Sequence, residues 1–375
     1  MKPVWPRWMD ARTALGADWA TSWAALLAGR IATSPWTAPS AAFEAAAAVA
    51  ALPDLDRSVD LNGRGPAARM LIEMRRRLRA AGASALPLYG ASNHGETDAL
   101  VDLAQRIAEA RPAPPSLWRS LLVDPVPEAV LDDGSGIWLS SACTSGSHAL
   151  ILACAASIDT GGPSAVIAVD ALSAIGVVGF ARVGATTSEP ARPFLEDRAG
   201  LVVGEGAAAL WLAVHPTHWP AIVGIGVSCD ASHPTDPDPQ GTFLASAIEE
   251  ALAQAGLSAA GVSGIIAHGT ATMKNDVAEA AAFLKLWPGG PPPVTSVKRG
   301  VGHTMGVAGL LNVIVAIQAL KDGVMPPAVA DGATIAQIDL VRGAPRPIPG
   351  GGALLALASG FGGNNTAIVV SNRQA

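Results

Sequence analysis

The sequence predicts an α/β protein built on mostly buried sheets, and three observations carry that reading. Strand-length apolar runs alternate with helix-length amphipathic or apolar stretches through most of the 375 residues. Runs such as Ala165-Val166-Ile167-Ala168-Val169 are β-branched and apolar on both faces, as strands covered on two sides are. Half of the chain is hydrophobic and only 15% is charged, which fills a large core and excludes disorder as the main state.

The elements follow in order. Pro3, Pro6 and the charged residues around them argue against an opening strand. Asp18 to Leu27 carries Trp19, Trp23 and Leu27 at helical spacing, and a second helix is predicted over Ala67 to Arg79. Ala85 to Tyr89 reads as a strand ending at Gly90, and Thr97 to Ala108 as a helix that stops before Pro112. The Pro-rich stretch from Arg111 to Pro127 reads as loops and short helices. Gly136-Ile137-Trp138-Leu139 is a short strand, followed by small polar residues and an apolar helix from Gly146 to Ser157.

Further strands are predicted at 165–169, 207–213, 222–228, 265–267, 294–296, 353–357 and 366–370, with helices at 242–255, 276–286 and 308–320. Both halves contain strand, helix, strand units of similar scale. This suggests an internal duplication joined near His215 to Pro220, with halves 1–214 and 215–375.

Charge and cysteine content narrow the function classes. A net charge of −6 offers no basic surface for general nucleic-acid binding. The one dense basic stretch, Arg75 to Arg79, reads as the solvated face of an amphipathic helix or as a docking patch for an acidic partner. Three cysteines, Cys143, Cys154 and Cys229, make no disulfide framework and no zinc pattern. Cys154 and Cys229 are assigned to the core. No secretory h-region and no membrane span is apparent, so a cytoplasmic location is expected. His215 and His218 lie in a Pro-containing loop without further ligands, and no metal site is expected.

Four segments carry chemistry. In Ser140-Ser141-Ala142-Cys143-Thr144-Ser145-Gly146 a strand gives way to a helix directly after a cysteine. A thiol at a helix N-terminus is favoured as thiolate, whereas an isolated buried cysteine is ordinarily inert. In His268-Gly269-Thr270-Ala271-Thr272 a histidine follows a buried strand, and Glu279 lies in the next helix; the imidazole either donates to a developing oxyanion or satisfies a backbone group. In Lys298-Arg299-Gly300-Val301-Gly302-His303 a second histidine sits among glycines, with Lys298 placed to orient it or to pair with Glu279. Ser359-Gly360-Phe361-Gly362-Gly363 makes a turn with free N–H groups suited to half of an oxyanion hole.

These four segments, in this order, resemble the β-ketoacyl-acyl carrier protein synthases, the ketosynthases of the thiolase superfamily. Arg192-Pro193-Phe194 through Gly204-Glu205-Gly206 is similar to a further signature of that family, and Ala91-Ser92-Asn93-His94-Gly95-Glu96 is similar to the shorter ketosynthases of polyene-type clusters. Ala271 stands where the first histidine motif usually has Gly, and Ser359 where a Phe is common. The stretch between Tyr89 and Ser140, which helps form the dimer interface in the family, is compact.

The resemblance implies a five-layered αβαβα fold of two pseudo-symmetric halves, the first carrying the nucleophile and the second both histidines. It implies decarboxylative Claisen condensation of an acyl chain on Cys143 with malonyl-acyl carrier protein, in fatty-acid, polyketide or aryl-polyene-type biosynthesis. His268 and His303 would stabilise the enolate, with Lys298 and Glu279 setting the electrostatics around His303. The N–H groups of Cys143 and Phe361 would hold the oxyanion, Phe361 would gate the second substrate, and Thr270 and Thr272 would hold the pantetheine arm. No metal or dissociable cofactor is expected, since substrates arrive on 4′-phosphopantetheine. The implied partners are an acyl carrier protein and a second subunit, identical or ketosynthase-like. The alternatives are a chain-length-factor-like partner subunit and a non-elongating acyltransferase or thioester hydrolase on the same fold.

Overall fold

The structure is a computed structural model and describes residues 1–39, 41–60, 64–83, 86–115, 136–348 and 352–372. Ten strands form two five-stranded sheets. The first runs from edge to edge through Trp5–Thr13, Gly206–Ala213, Ser164–Asp170, Leu88–Ala91 and Gly136–Leu139. The second runs through Ala221–Cys229, Asn364–Ser371, Ala353–Gly360, Val262–Ile266 and Val294–Thr295. With strands numbered by chain order within each half, both sheets read 1-5-4-2-3. In both, the first two neighbouring pairs are antiparallel and the last two parallel. The duplication that the element order suggested is therefore a repeat of topology, with no need for a repeat of residues.

The sheets stack face to face across two apolar helices, Ser145–Thr160 and Ala308–Asp322. Twelve of the fifteen residues of Ala308–Asp322 are buried, so this helix, long and apolar enough to span a bilayer when taken with the preceding turn, is the core helix of the fold. The cluster between the sheets mixes both halves: Leu150, Val166 and Leu210 pack with Leu310, Ile314 and Ile368. Pro66–Ala80 covers the outer face of the first sheet with Met70, Leu71 and Met74. Thr242–Gln254 and Asn275–Leu286 cover the second with Leu244, Ile248 and Phe283. Helix, sheet, helix, sheet, helix gives the five layers.

Three expectations need correction. Trp5–Thr13 is a nine-residue strand. It lies at a sheet edge and its register shifts between Pro6 and Trp8, the setting in which a strand accepts proline. Its charged residues find partners: Arg12 pairs with Glu73 and Asp54, and Asp10 with Arg77. The strand predicted from Ala85 lies at Leu88–Ala91, with Pro87 before it and Gly90 inside it; Ala85 is outside the described residues. Helix Ala174–Arg182 was not anticipated because Gly176 and Gly179 interrupt its pattern; Ser173 caps it by accepting the Gly176 N–H.

The Arg75 to Arg79 patch is partly spent inside the fold. Arg77 is tied to Asp10, Glu73 and the Ala17 carbonyl; Arg76 and Arg79 lie on the exposed side of the helix. The Pro-rich stretch is described only to Pro115, where no helix is complete, and the rest of it lies outside the described residues. Cys154 is buried as expected, but Cys229 is exposed at a strand end, where its thiol donates to the Gly362 carbonyl at 3.3 Å.

Candidate active site

The nucleophile segment is a turn held by its own hydroxyls. Ala142 has φ of +53°, a conformation costing a non-glycine residue roughly 1–2 kcal/mol. Ser145 Oγ accepts the Ser141 N–H at 2.8 Å and donates to the Ala142 carbonyl at 2.6 Å, while Thr144 Oγ1 donates to the Ser141 carbonyl at 2.7 Å. Ser141 Oγ meets His148 Nδ1 at 2.8 Å. The short hydroxylated residues around Cys143 thus act as a clasp that presents the thiol. Gly146 lets the next turn touch the other half, because a Cβ there would lie 2.7 Å from the Gly306 carbonyl oxygen.

One histidine of the second half reaches that thiol, and the other stands beside it. His303 Nε2 lies 3.0 Å from Cys143 Sγ. The His268 and His303 rings stand perpendicular with centroids 5.2 Å apart. Cys143, His268 and His303 are 5%, 3% and 2% exposed. The His303 peptide is pinned by its N–H to Val202 O at 2.7 Å and by Gly204 N–H to its carbonyl at 2.9 Å, so the Gly204-Glu205-Gly206 signature serves as its backbone rail. The buried Glu205 carboxylate in turn accepts from Leu52 N–H and Leu172 N–H and pairs with Arg57.

Lys298 and Glu279 are buried at the site, and their hydrogen bonds go to the His268 segment, while the charge of Lys298 also acts on His303. Lys298 Nζ donates to the His268 carbonyl and lies 3.4 Å from His268 Nδ1. A cationic donor at Nδ1 makes that nitrogen the acceptor and leaves the proton on Nε2. Glu279 accepts the N–H groups of His268 at 2.8 Å and Gly269 at 2.6 Å, and Asn275 Nδ2 at 2.8 Å. The neighbouring Asp276 holds Phe194 N–H at 2.7 Å and Ala271 N–H at 3.1 Å, fixing a turn in which Ala271 has φ of +66°. That φ is the physical reason a glycine suits position 271.

The electrostatics overturn one expectation. Burial pushes the Cys143 thiol up to about 12, opposed by the charge of Lys298 and reinforced by Asp170. The helix N-terminus does not outweigh this, because Thr144 and Ser145 N–H groups already bond to Ser141 and Ala142 carbonyls. Cys143 therefore rests as a thiol. Burial and the charge of Lys298 hold both histidines well below their ordinary value, so both rest neutral. Burial also lowers Lys298 to about 8, while burial and Asp276 raise Glu279. A neutral imidazole 3.0 Å from a neutral thiol can take its proton as the sulfur attacks.

A cleft of about 200 Å³ opens above these three residues. Thr270 and Thr272 line it with their hydroxyls 3.0 Å apart, and Phe361 stands at its wall, 39% exposed and tilted against Phe180 at 5.4 Å. Gly360 backs onto the nucleophile: a Cβ there would lie 3.2 Å from Cys143 N and 3.4 Å from Thr144 N. Sequence reasoning missed Phe180, which lies on the unanticipated helix, and Asp170, an ordinary strand-end residue in the sequence. Among the described residues no group of three His, Cys, Asp or Glu side chains could hold a metal ion.

The N-terminal domain model of β-ketoacyl synthase matches residues 129–218, and the C-terminal domain model matches 220–330. The chain belongs to the β-ketoacyl synthase family. It is 35% identical over 216 residues to 3-oxoacyl-[acyl-carrier-protein] synthase 2 of Mycobacterium tuberculosis, covering 52% of this chain and 51% of the relative. The Vibrio cholerae enzyme of the same name is 32% identical over 260 residues, covering 63% and 62%. The matches span about half to three fifths of the length of these curated relatives. Among solved structures, the ishigamide ketosynthase/chain length factor superposes with a TM-score of 0.88 at 26% identity over 100% of both chains. A β-ketoacyl synthase from Burkholderia phymatum STM815 superposes with a TM-score of 0.85 at 27% identity, also over 100% of both chains. The fold is thus that of the thiolase-superfamily ketosynthases.

Proposed function

We propose that this ketosynthase-family chain catalyses decarboxylative condensation of an acyl chain with malonyl-acyl carrier protein. The observation that carries the reading is the convergence of Cys143, His303 and His268 at the base of one cleft, with His303 Nε2 3.0 Å from the sulfur. In the acylation step Cys143 Sγ attacks the thioester carbonyl while its proton passes to His303 Nε2. The oxyanion is held by the N–H groups of Cys143 and Phe361, the bond to the pantetheine sulfur breaks, and His303 returns the proton to that sulfur. Thr270 and Thr272 hydrogen-bond the pantetheine arm from the cleft wall.

In the condensation step the malonyl carboxylate leaves as carbon dioxide, and the electrons of the broken C–C bond form an enolate. His268 Nε2–H, oriented by Lys298 at Nδ1, donates to the enolate oxygen; His303 joins it as a donor once its ring proton has moved from Nδ1 to Nε2. Two neutral donors in a dry site stabilise a developing anion without having to lose a proton. The enolate carbon attacks the Cys143 thioester, the C–S bond breaks with its electron pair leaving on sulfur, the thiolate takes one proton from solvent to regain the resting thiol, and the product is a β-ketoacyl chain two carbons longer. Acyl and malonyl groups arrive covalently carried, so the cycle needs no dissociable cofactor and no metal.

The halves 1–214 and 215–375 act in this reading as nucleophile and histidine modules. A second subunit, identical or ketosynthase-like, fits the exposed edge strand Gly136–Leu139, where Ile137 faces solvent. The similarity to a ketosynthase/chain length factor favours a partner of that kind, while retention of all three motif residues favours this chain as the catalytic member. Aryl-polyene-type, polyketide and fatty-acid chains are the substrate classes, and the cytoplasm is the proposed location. Incubation with acyl- and malonyl-carrier proteins tests the reading. A malonyl-dependent product two carbons longer is expected; acyl transfer or hydrolysis indifferent to malonyl-carrier would contradict it.

A further inference from the structure

Asp170 ends the strand Ser164–Asp170, is fully buried and is assigned no role by the reaction above. Its carboxylate gathers four donors from two separate loops. Ser92 Oγ donates to it at 2.8 Å, His94 N–H at 2.8 Å and Asn93 N–H at 3.0 Å. From the second half, Gly306 N–H donates to Oδ2 at 2.6 Å. Gly306 follows His303 by three residues, and Met305 between them has φ of +47° while buried against Cys143 and Leu172. A side chain in that conformation persists only where its surroundings hold it. The carbonyl of Gly306 also rests on Gly146 in the first turn of the nucleophile helix. Asp170 thus grips a turn that touches both the base and the nucleophile.

We propose that Asp170 is a positioning residue whose carboxylate clamps the Met305–Gly306 turn to the Ser92–His94 loop and thereby sets the contact between His303 and Cys143. The inference rests on the ketosynthase reading for its role in turnover. It explains the Ser92-Asn93-His94 motif as the other jaw of the clamp. The backbone N–H groups of Asn93 and His94 face the carboxylate, and the His94 ring packs where Gly176 has no Cβ. The charged and titratable groups facing Cys143 are His303 and His268 across the cleft, Lys298 behind them, and Asp170 beneath.

The test uses the full-length chain with any partner subunit that co-purifies. Asp170→Asn puts an amide N–H₂ against N–H donors and removes the charge; Asp170→Glu keeps the charge. Expected for folded Asp170→Asn is a kcat at least tenfold lower with the KM for acyl-carrier within twofold, and alkylation of Cys143 by iodoacetamide shifted to lower pH. Asp170→Glu should keep the alkylation profile of the parent and regain part of the lost kcat. Parent kcat and parent alkylation profile in folded Asp170→Asn would overturn the proposal. If Asp170→Asn fails to fold, Ser92→Ala, which removes one donor, decides: a severalfold fall in kcat at unchanged melting temperature supports the clamp, and parent kcat overturns it. Alkylation needs no carrier substrate. A parent enzyme that does not condense, with the alkylation shift still present in Asp170→Asn, would count against the ketosynthase reading and leave the link between Asp170 and Cys143 standing.

Discussion

His303 Nε2 and Cys143 Sγ lie 3.0 Å apart although 160 residues separate them and each belongs to a different half of the fold. The contact exists because two turns of matching geometry meet at the seam. Ala142 and Met305 both take positive φ, and Gly146 and Gly306 bring the two backbones together beneath the site. Both partners of the contact are neutral at rest, so proton transfer belongs to the chemical step and not to the resting state.

Lys298→Met removes the group that sets the His268 tautomer and the cation that opposes thiol protonation. We expect kcat to fall by on the order of 10–100-fold, as for loss of a residue that orients a reacting group. The pH at which Cys143 reacts with iodoacetamide should move up. A variant with parent kcat and parent alkylation profile would show that Lys298 acts only in packing.

The pH profile should be set by the buried cations and imidazoles. His268 and His303 are held well below their ordinary value of 6.5, so the acid limb of kcat should fall below pH 6.5. Lys298 is lowered to about 8, so loss of its charge should give a decline above that pH. The stability consequence has a fixed sign. For a base whose folded-state pKa is depressed, the stabilisation from its neutrality is fully present above 6.5 and is lost as pH falls through the lower folded value. Denaturant midpoints should therefore drop on acidification from pH 6.5, with kcat profiles recorded alongside. An acid limb centred at or above 6.5 would contradict neutral resting histidines.

Gly360→Ala places a methyl 3.2 Å from the Cys143 amide. If that N–H holds the oxyanion, acylation should slow by about 10²–10³-fold, the usual cost of losing one such donor. Melting temperature and alkylation by a small reagent should change little, because neither needs the oxyanion hole. Acylation at the parent rate would remove this N–H from the mechanism.

Glu96 accepts the N–H groups of Gly65 at 3.1 Å and Ala68 at 2.7 Å, capping a helix whose own N-cap residue has no side chain. Glu96→Ala should destabilise the protein by about 1–2 kcal/mol, read as a lower urea midpoint at unchanged m-value. An unchanged midpoint would show that water replaces the cap at no cost.

Most strands of the two buried sheets were legible because strand-length apolar runs have few other uses in a packed core. The candidate site was legible as segments: Cys143 and His268 each follow a strand, and His303 lies among glycines between a short helix and the core helix. Their mutual contact was not legible, since register across the seam depends on close approaches such as Gly146 to Gly306 that no local pattern encodes. The hydrogen bonds of Lys298 were not legible for the same reason: its charge does act on His303, but the intervening turn delivers the amine itself to His268. The opening strand was missed because Pro6 and Arg12 read as breakers until the edge position and the partners Glu73 and Asp54 are known. The thiolate expectation weighed the helix terminus and could not weigh complete burial.

The most direct measurement of the central claim is intact-protein mass spectrometry of the chain, with any partner subunit it requires, after exposure to a panel of acyl-carrier proteins. Cys143→Ala is run in parallel. The account predicts an acyl adduct on the parent that is absent from Cys143→Ala and is discharged as a ketoacyl-carrier when malonyl-carrier is added. An adduct that survives Cys143→Ala, or no adduct from any acyl donor with the partner present, would contradict it.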